Sequence, residues 1–487
     1  MALTEVNSKG IKDADIATGD IADDAITSAK IADDAVVAAA IADNAVVTAG
    51  INADAITGAK IADDAIDSEH YTDGSIDTAH IADNQITLAK MAGGTDGQII
   101  TYDASGDPVA VGPGTDGQVL TSTGAGSPPA FEDAAGGAAS FRNLIINGAF
   151  NVAQRATSGT GSGYKSVDRF YISKSADEDP TQAQHALTSS DTGPWAKGFR
   201  NSFHITNGNN SSNTGGNQSI WYEVEAQDIA NSGWDYNSAS SYITLSFWVK
   251  SSVAQTFYAY IVSNDGTNKR HAFSLGSLSA NTWTQVTKSF PGHADLQFDN
   301  DTGKGLSIGI HMFAPTGQTD SGVSLTEWAT HSSSARMPDF ATTWWHTNDA
   351  TFEITGVQLE VGATATDFEH RQYNEELIRC QRYYQVIGDI DNNPLCNIYG
   401  ESAIIQGVHH FRTEMRAVPS VHSSNSSNHF KARIGVGNHT FDTCTFNDSS
   451  NKAVIVYGNL GSGTYTNYAG ILRLNHNDAY LSAQAEL

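Results

Sequence analysis

The sequence predicts an all-β protein: an elongated fibre in which a repetitive β shaft leads into a β-sandwich and then a small terminal β domain. Three observations predict it. Seven ten-residue copies fill residues 21–90, two twenty-residue copies follow at 94–133, and beyond residue 140 the chain turns aromatic, with short alternating runs between Gly, Asn, Ser and Asp turns. All eight tryptophans lie beyond residue 140.

The decads read IADDAITSAK, IADDAVVAAA, IADNAVVTAG, INADAITGAK, IADDAIDSEH, YTDGSIDTAH and IADNQITLAK. Each carries Ile, Val or Tyr at its first position and Ile or Val at its sixth, as in Ile21/Ile26, Ile31/Val36, Ile61/Ile66 and Ile81/Ile86. A spacing of five fits neither one helical face nor one strand face, so a turn must intervene. The Asp-Asp, Asp-Asn and Asp-Gly pairs at positions three and four supply it through Asx-type hydrogen bonds. The expected shaft is short extended pieces joined by tight turns, with the Ile/Val rows gathered on one side. Residues 21–90 hold no Trp or Phe, so one copy has a thin core. Two arrangements bury the rows: three chains packed about an axis, which also hides strand edges, or a single-chain quadrilateral helix of pentapeptide type.

Gly94–Pro113 aligns with Gly114–Asp133, each holding a strand (Gln98–Tyr102, Gln118–Ser122) after an Asp-Gly turn. Residues 133–140 read as a flexible joint, so 94–140 is a link and hinge after a 21–93 shaft. Residues 141–370 read as the sandwich. Residues 371–383 read as one short helix, and 384–487 return to short strands, broken at Pro419, with Gly-rich turns at 458–463. Together 371–487 form the small terminal domain.

The chain is acidic, with 54 Asp and Glu against 27 Lys and Arg; residues 1–140 alone hold 23 acids and 5 bases. Such a surface disfavours nucleic acid and anionic lipid as partners. It reads as solvated surface, with divalent-cation binding by carboxylates as the sharper alternative. Cys380, Cys396 and Cys444 form no disulfide framework and no CxxC metal site, consistent with assembly in a reducing compartment. The first sixteen residues show no apolar signal core, and no run approaches the roughly 18–20 apolar residues of a membrane span, so no membrane insertion is expected.

In order along the chain, IADDAITSAK-type decads, GTDGQVLTSTG (114–124), NLIINGAFNVAQRAT (143–157) with VDRFY (167–171), ITGVQLEVGATATDFEHR (354–371) with CQRYYQ (380–385), and FRTEMRAVPSV (411–421) resemble the shaft, link, head and tip of tailed-bacteriophage tail fibre proteins. The resemblance implies an intertwined homotrimer, with residues 1–20 docked on a tail adaptor or baseplate protein and the C-terminal domains touching a bacterial surface glycan. It implies a virion location, after assembly in the host cytoplasm. It also implies a head similar to jelly-roll carbohydrate-binding modules, in which a structural Ca2+ would tie the termini together. The chain lacks the long right-handed β-helix pattern of glycan-degrading tailspikes.

Strand alternation nominates the binding residues. In Tyr242–Lys250, Ile243, Leu245, Phe247 and Val249 face the core, leaving Trp248 outside. In Thr256–Val262, Phe257, Ala259 and Ile261 face in, and Tyr258 and Tyr260 out. In Ser219–Gln227, Ile220, Tyr222 and Val224 share one face, and Trp221, Glu223 and Glu225 the other. If these strands are neighbours, one face gathers Trp221, Trp248, Tyr258 and Tyr260 beside Glu223 and Glu225. Rings stack on the C–H face of a pyranose while carboxylates accept its hydroxyls. The bland alternative is that loops or a second subunit cover these rings. Trp344 and Trp345, read as a loop, are a second candidate. Gly356 is expected to mark a bulge where apolar parity switches in Phe352–Val361.

No catalytic motif appears: there is no GxSxG, HExxH or P-loop, and Glu223/Glu225, two apart on one strand, do not flank a bond from opposite sides. The metal-binding residues are not legible, since the EF-hand spacing is absent. The expected function is therefore non-enzymatic attachment through a glycan or other receptor. The alternatives are a glycan-cleaving or deacetylating enzyme, and a structural spacer docking another virion protein.

Overall fold

A computed structural model describes residues 16–43, 45–47, 49, 51–52, 55–63, 65–77, 79–82, 85, 93–115, 118–133, 142–461 and 463–487. The chain divides into two units, Met1–Thr95 and Asp96–Leu487. The segment expected to dock on the tail, residues 1–20, is described only from Ile16, and Ile86 and most of the 133–140 joint lie outside the described residues.

In the first unit the decads, where described, contain two tight turns. One sits at the aspartate pair, closed by a main-chain bond from the fifth residue to the second, as in Ala25 to Ala22 (2.9 Å) and Ala35 to Ala32 (3.0 Å). Asp24 and Asp34 there take φ of 59°, a left-handed conformation that Asp tolerates better than most residues. The other is a 3-10 turn over positions eight to ten, as in Ser28–Lys30 and Gly58–Lys60. The first was expected. The second was not, because Ser-Ala-Lys carries no Gly or Pro to announce it. These local bonds occupy the main chain, so no β-strand occurs among the described residues 16–85, which corrects the expected β shaft. The Ile and Val rows stay exposed, Ile26 at 57% and Val36 at 55%.

The second unit is almost entirely antiparallel β-structure. Hairpin β1 (Ile99–Tyr102)–β2 (Pro108–Val111) and hairpin β3 (Gln118–Thr121)–β4 (Ala130–Asp133) form the link. The sandwich strands are β5 (Ser158–Thr160), β6 (Phe170–Ser175), β7 (Thr181–Ala186), β8 (Asn201–Thr206), β9 (Asn217–Glu225) and β10 (Tyr242–Ser251). They continue as β11 (Gln255–Ser263), β12 (Lys269–Leu278), β13 (Thr284–Pro291), β14 (Lys304–Phe313), β15 (Trp328–Thr330) and β16 (Thr351–Val361). Two six-stranded sheets result, ordered β13-β10-β16-β8-β7-β5 and β15-β12-β11-β14-β9-β6.

Alternation fixes the core. Ile243, Leu245, Phe247 and Val249 from the first sheet are buried in one cluster with Ile220, Val224, Phe257, Ile261, Ile308 and Ile310 from the second. Gly356, with φ of 64°, sits where the β10–β16 register slips between Ser246 and Trp248, the bulge the parity switch predicts. Helix α1 (Ala226–Ala230) follows β9, and α2 (Thr343–His346) precedes β16.

Helix α3 (Tyr373–Gln381) leads to the terminal domain. Its strands are β17 (Tyr384–Gly388), β18 (Pro394–Glu401), β19 (Ile404–His410), β20 (Ser420–Ser423) and β21 (Phe430–Ile434), then β22 (Gly437–Phe441), β23 (Cys444–Asn447), β24 (Ala453–Asn459), β25 (Ala469–Leu474) and β26 (Leu481–Gln484). They form sheets β17-β26-β20 and β22-β21-β25-β18-β19-β24-β23 over a separate core that includes Ile405, Phe430, Val456 and Leu472. Cys380, Cys396 and Cys444 are free thiols.

Candidate functional site

Strand register on the outer face of the second sheet builds one row across four strands. Tyr171 on β6 faces Trp221 on β9, Trp221 faces Gly309 on β14, and Gly309 faces Tyr260 on β11. Gly309 is required there: a Cβ would lie 2.8 Å from the Trp221 ring. The indole therefore lies across the sheet, edge-on to Tyr260 at 5.5 Å and to His311 at 5.7 Å. Its Nε1 donates to Ser219 Oγ (2.7 Å). His311 stacks on Tyr260 at 5.2 Å.

Glu223, one register step along, is buried. It accepts from Tyr171 OH (2.9 Å), Lys304 Nζ (3.2 Å) and Ser307 Oγ. Its negative charge and the hydrogen bond push the Tyr171 hydroxyl well above its usual range, after burial itself. The segment after β14 folds over part of this face. Met337 and Phe340 pack with Tyr258 and Tyr260, while Gln318, His331 and Arg336 reach the rim. The resulting cavity, about 480 Å³, is floored by Trp221, Tyr260 and His311 and edged by Asn217, Asn264 and Lys304.

Both ring nitrogens of His311 are buried without a partner among the described residues, as are His331 Nδ1 and Arg336 Nε. Burial first, and then the Arg336 charge, push His311 down to about 3, so the ring is neutral at ordinary pH. Buried polar atoms are ordinarily met by protein, water or a ligand.

The nominated residues thus separate. Trp221, Glu223 and Tyr260 line one cavity. Tyr258 is on the same face but packs against Phe340 (5.3 Å). Trp248 is not with them: β10 belongs to the other sheet, and alternation gives a residue's side of a strand but not the strand's sheet. It lines a different cavity of about 320 Å³ with Phe199, Phe368 and His370.

Trp344 and Trp345 are corrected more sharply. They form α2 rather than a loop, and both are fully buried. Trp344 Nε1 donates to Thr351 O (3.0 Å), and Trp345 stacks on Phe313 at 4.9 Å. Two large apolar rings with their N–H groups satisfied inside the protein are core. Glu225 is also unavailable, since its carboxylate is buried against Arg382. Sequence alternation missed His311 because its strand, SIGIHMF, reads as an apolar run, and missed Arg336 because residues 314–341 have no period.

Among the described residues, His185, His204 and Glu353 bring ligand atoms within 4.8 Å of one another. Lys250 Nζ lies 2.9 Å from Glu353 Oε1 and already supplies the cation. Burial opposes Glu353's ionisation, but hydrogen bonds from His204 and Lys250 hold it well below the usual carboxylate range. The two imidazoles fit Ca2+, which prefers oxygen, poorly.

No protein-family model and no curated protein matches the chain. Among solved structures it is similar to the enzymatically active domain of tailspike protein 4 of bacteriophage CBA120, at 12% identity over 45% of this chain and 22% of that one, with a TM-score of 0.22. It is similar to a family 11 carbohydrate-binding module from Clostridium thermocellum in complex with a β-1,3-1,4-mixed-linked tetrasaccharide (12% identity, 43% and 98% covered, TM-score 0.21). A third is the xylan-binding domain CBM22-1 from Paenibacillus barcinonensis (10% identity, 47% and 98% covered, TM-score 0.22). Likeness of this size carries no information about ligand. The protein is a β-sandwich protein with an aromatic-floored polar cavity on one outer face.

Proposed function

We propose that the protein is a virion tail fibre whose sandwich binds a glycan of the bacterial surface, reversibly and without cleaving it. The observation that carries this is the Tyr171–Trp221–Gly309–Tyr260 row with the unpartnered His311 beside it. A glycine that lets an indole lie over a sheet makes a stacking platform, and buried nitrogens with no protein partner suit a hydroxyl-rich ligand. Glu223 is the single carboxylate among the residues lining the cavity, and it is held by three donors. Hydrolysis of a glycosidic bond ordinarily needs a second carboxylate across the bond.

The exposed Ile and Val rows of the decads favour the trimeric shaft, each row covered by two further copies of the chain. An N-terminal tail-protein partner and assembly in the host cytoplasm complete the proposal. One aromatic–sugar contact contributes ~1 kcal/mol, so three heads per fibre would raise avidity by orders of magnitude.

The test is binding of labelled full-length protein to a panel of bacterial strains, beside Trp221→Ala. Selective binding that this substitution abolishes, with trimer mass and melting unchanged, is the expected result. Wild-type binding to none of the strains, a known host included, would sink the reading.

A further inference from the structure

The charges around the cavity do not cancel. Lys304 is matched by Glu223, the only carboxylate among the described residues that line it. Arg336 on the rim donates to the neutral Gln318 Oε1 (3.0 Å), and its Nε is buried without a partner. Arg270, in register with Val262 on the neighbouring strand β12, stands behind the cavity lining rather than in it. It is 5% exposed, and its Nε and Nη1 have no partner among the described residues. Among the described residues neither guanidinium forms an ion pair, although the chain as a whole carries a net charge of −27. A buried cation without a counter-charge is costly, and such a protein has carboxylates to spare for one.

Resting on the glycan reading above, we infer that the ligand is an acidic sugar whose anionic group, carboxylate or phosphate, completes Arg336, with Arg270 adding its positive charge from the neighbouring strand. The guanidinium fork matches both oxyanions in two parallel hydrogen bonds, which a neutral hydroxyl does not offer. Trp221 and Tyr260 would then hold the sugar ring while Arg336 holds its charge. The partner is thereby narrowed to the uronic-acid-bearing or phosphate-substituted polysaccharides.

The experiment titrates the full-length protein calorimetrically with three oligosaccharides from one polysaccharide: the uronate form, its carboxyl-reduced neutral form, and a phosphate-substituted neutral form. Preference of at least tenfold for one charged form over the neutral one is expected, weakening as salt rises. Which charged form wins identifies the oxyanion. Arg336→Gln should erase the preference for the charged form, while Arg336→Lys keeps part of it. Equal binding of all three forms overturns the inference and leaves the glycan reading standing. Binding of none overturns both. A preference that survives in a folded Arg336→Gln/Arg270→Gln double variant also overturns it.

Discussion

Arg382 holds Glu225 through two parallel hydrogen bonds, Nε to Oε1 at 2.7 Å and Nη2 to Oε2 at 2.8 Å, and Tyr383 donates its hydroxyl to the same carboxylate. The pair joins the end of β9 to the chain between α3 and β17, so it ties the sandwich to the terminal domain. Arg169 lies close by, donating to Glu486 (2.6 Å) and to the Glu223 carbonyl (2.7 Å) with its guanidinium over the Tyr383 ring. VDRFY and CQRYY, two of the motifs that carry the tail-fibre resemblance, therefore meet at a domain joint rather than in the cavity.

Arg382→Ala should leave the Glu225 carboxylate buried with its main counter-charge gone, a loss of about 3–5 kcal/mol. Calorimetry of the full chain should show the terminal domain melting earlier. Glu225→Gln in the same background should restore part of the loss by removing the stranded charge. A shift equivalent to under ~1 kcal/mol would contradict the joint's importance.

Trp221→Ala and Trp344→Ala should fail in opposite ways. Trp221 is half-buried at the cavity floor, so its loss should abolish glycan binding while leaving unfolding nearly unchanged. Trp344 is fully buried, and its truncation should cost about 3–5 kcal/mol. At a temperature where Trp344→Ala remains folded, its affinity should match wild type. Denaturant unfolding and a binding isotherm on each variant check the pair.

Gly309→Ala places a methyl group against the Trp221 ring, which must tilt away. The expected outcome is at least a tenfold fall in affinity with melting little altered, seen also as a changed Trp221 fluorescence. An unchanged isotherm would mean that the flat indole is not what the ligand meets.

His311 predicts an acid response. Its pKa is about 3 folded, against about 6.5 for a free imidazole, so its contribution to stability is present above pH 6.5 and lost as pH falls towards 3. His311→Gln should remove up to ~1.4 kcal/mol per pH unit from the slope of stability between pH 6 and 4. Urea unfolding of both proteins at pH 4, 5, 6 and 7 measures it. Parallel curves would show that His311 does not titrate in this range.

Much of the fold was legible because strand alternation is a local rule. Ile243 to Val249, Phe257 to Ile261 and Ile220 to Val224 all point where their parity puts them, and Gly356 bulges where the parity breaks. What alternation does not carry is sheet membership, which depends on pairings between distant segments. That is why Trp248 left the company of Trp221. The Trp344–Trp345 burial was hidden for another reason: adjacent tryptophans look the same on a loop and in a four-residue helix sealed against Phe313 and Phe352. Arg336 and His331 come from a segment with no period at all, so the cavity's charge was visible only in three dimensions.

In the 21–30 decad the turns close from Ala25 to Ala22 and from Lys30 to Thr27, and the second also takes a bond from Ile31, the first residue of the next copy, to Ser28. Length in this region is therefore quantised. Gain or loss of ten residues returns every Ile, Asp and Lys to the same local neighbours. A slip of five keeps an apolar residue in the row but sets Ala29 where Asp24 now takes φ of 59°. Alanine pays roughly 1 kcal/mol for that conformation, with no side-chain oxygen to compensate. Recombination between copies is thus steered towards whole decads, so the repeat region can lengthen or shorten in even steps without a change of its local structure.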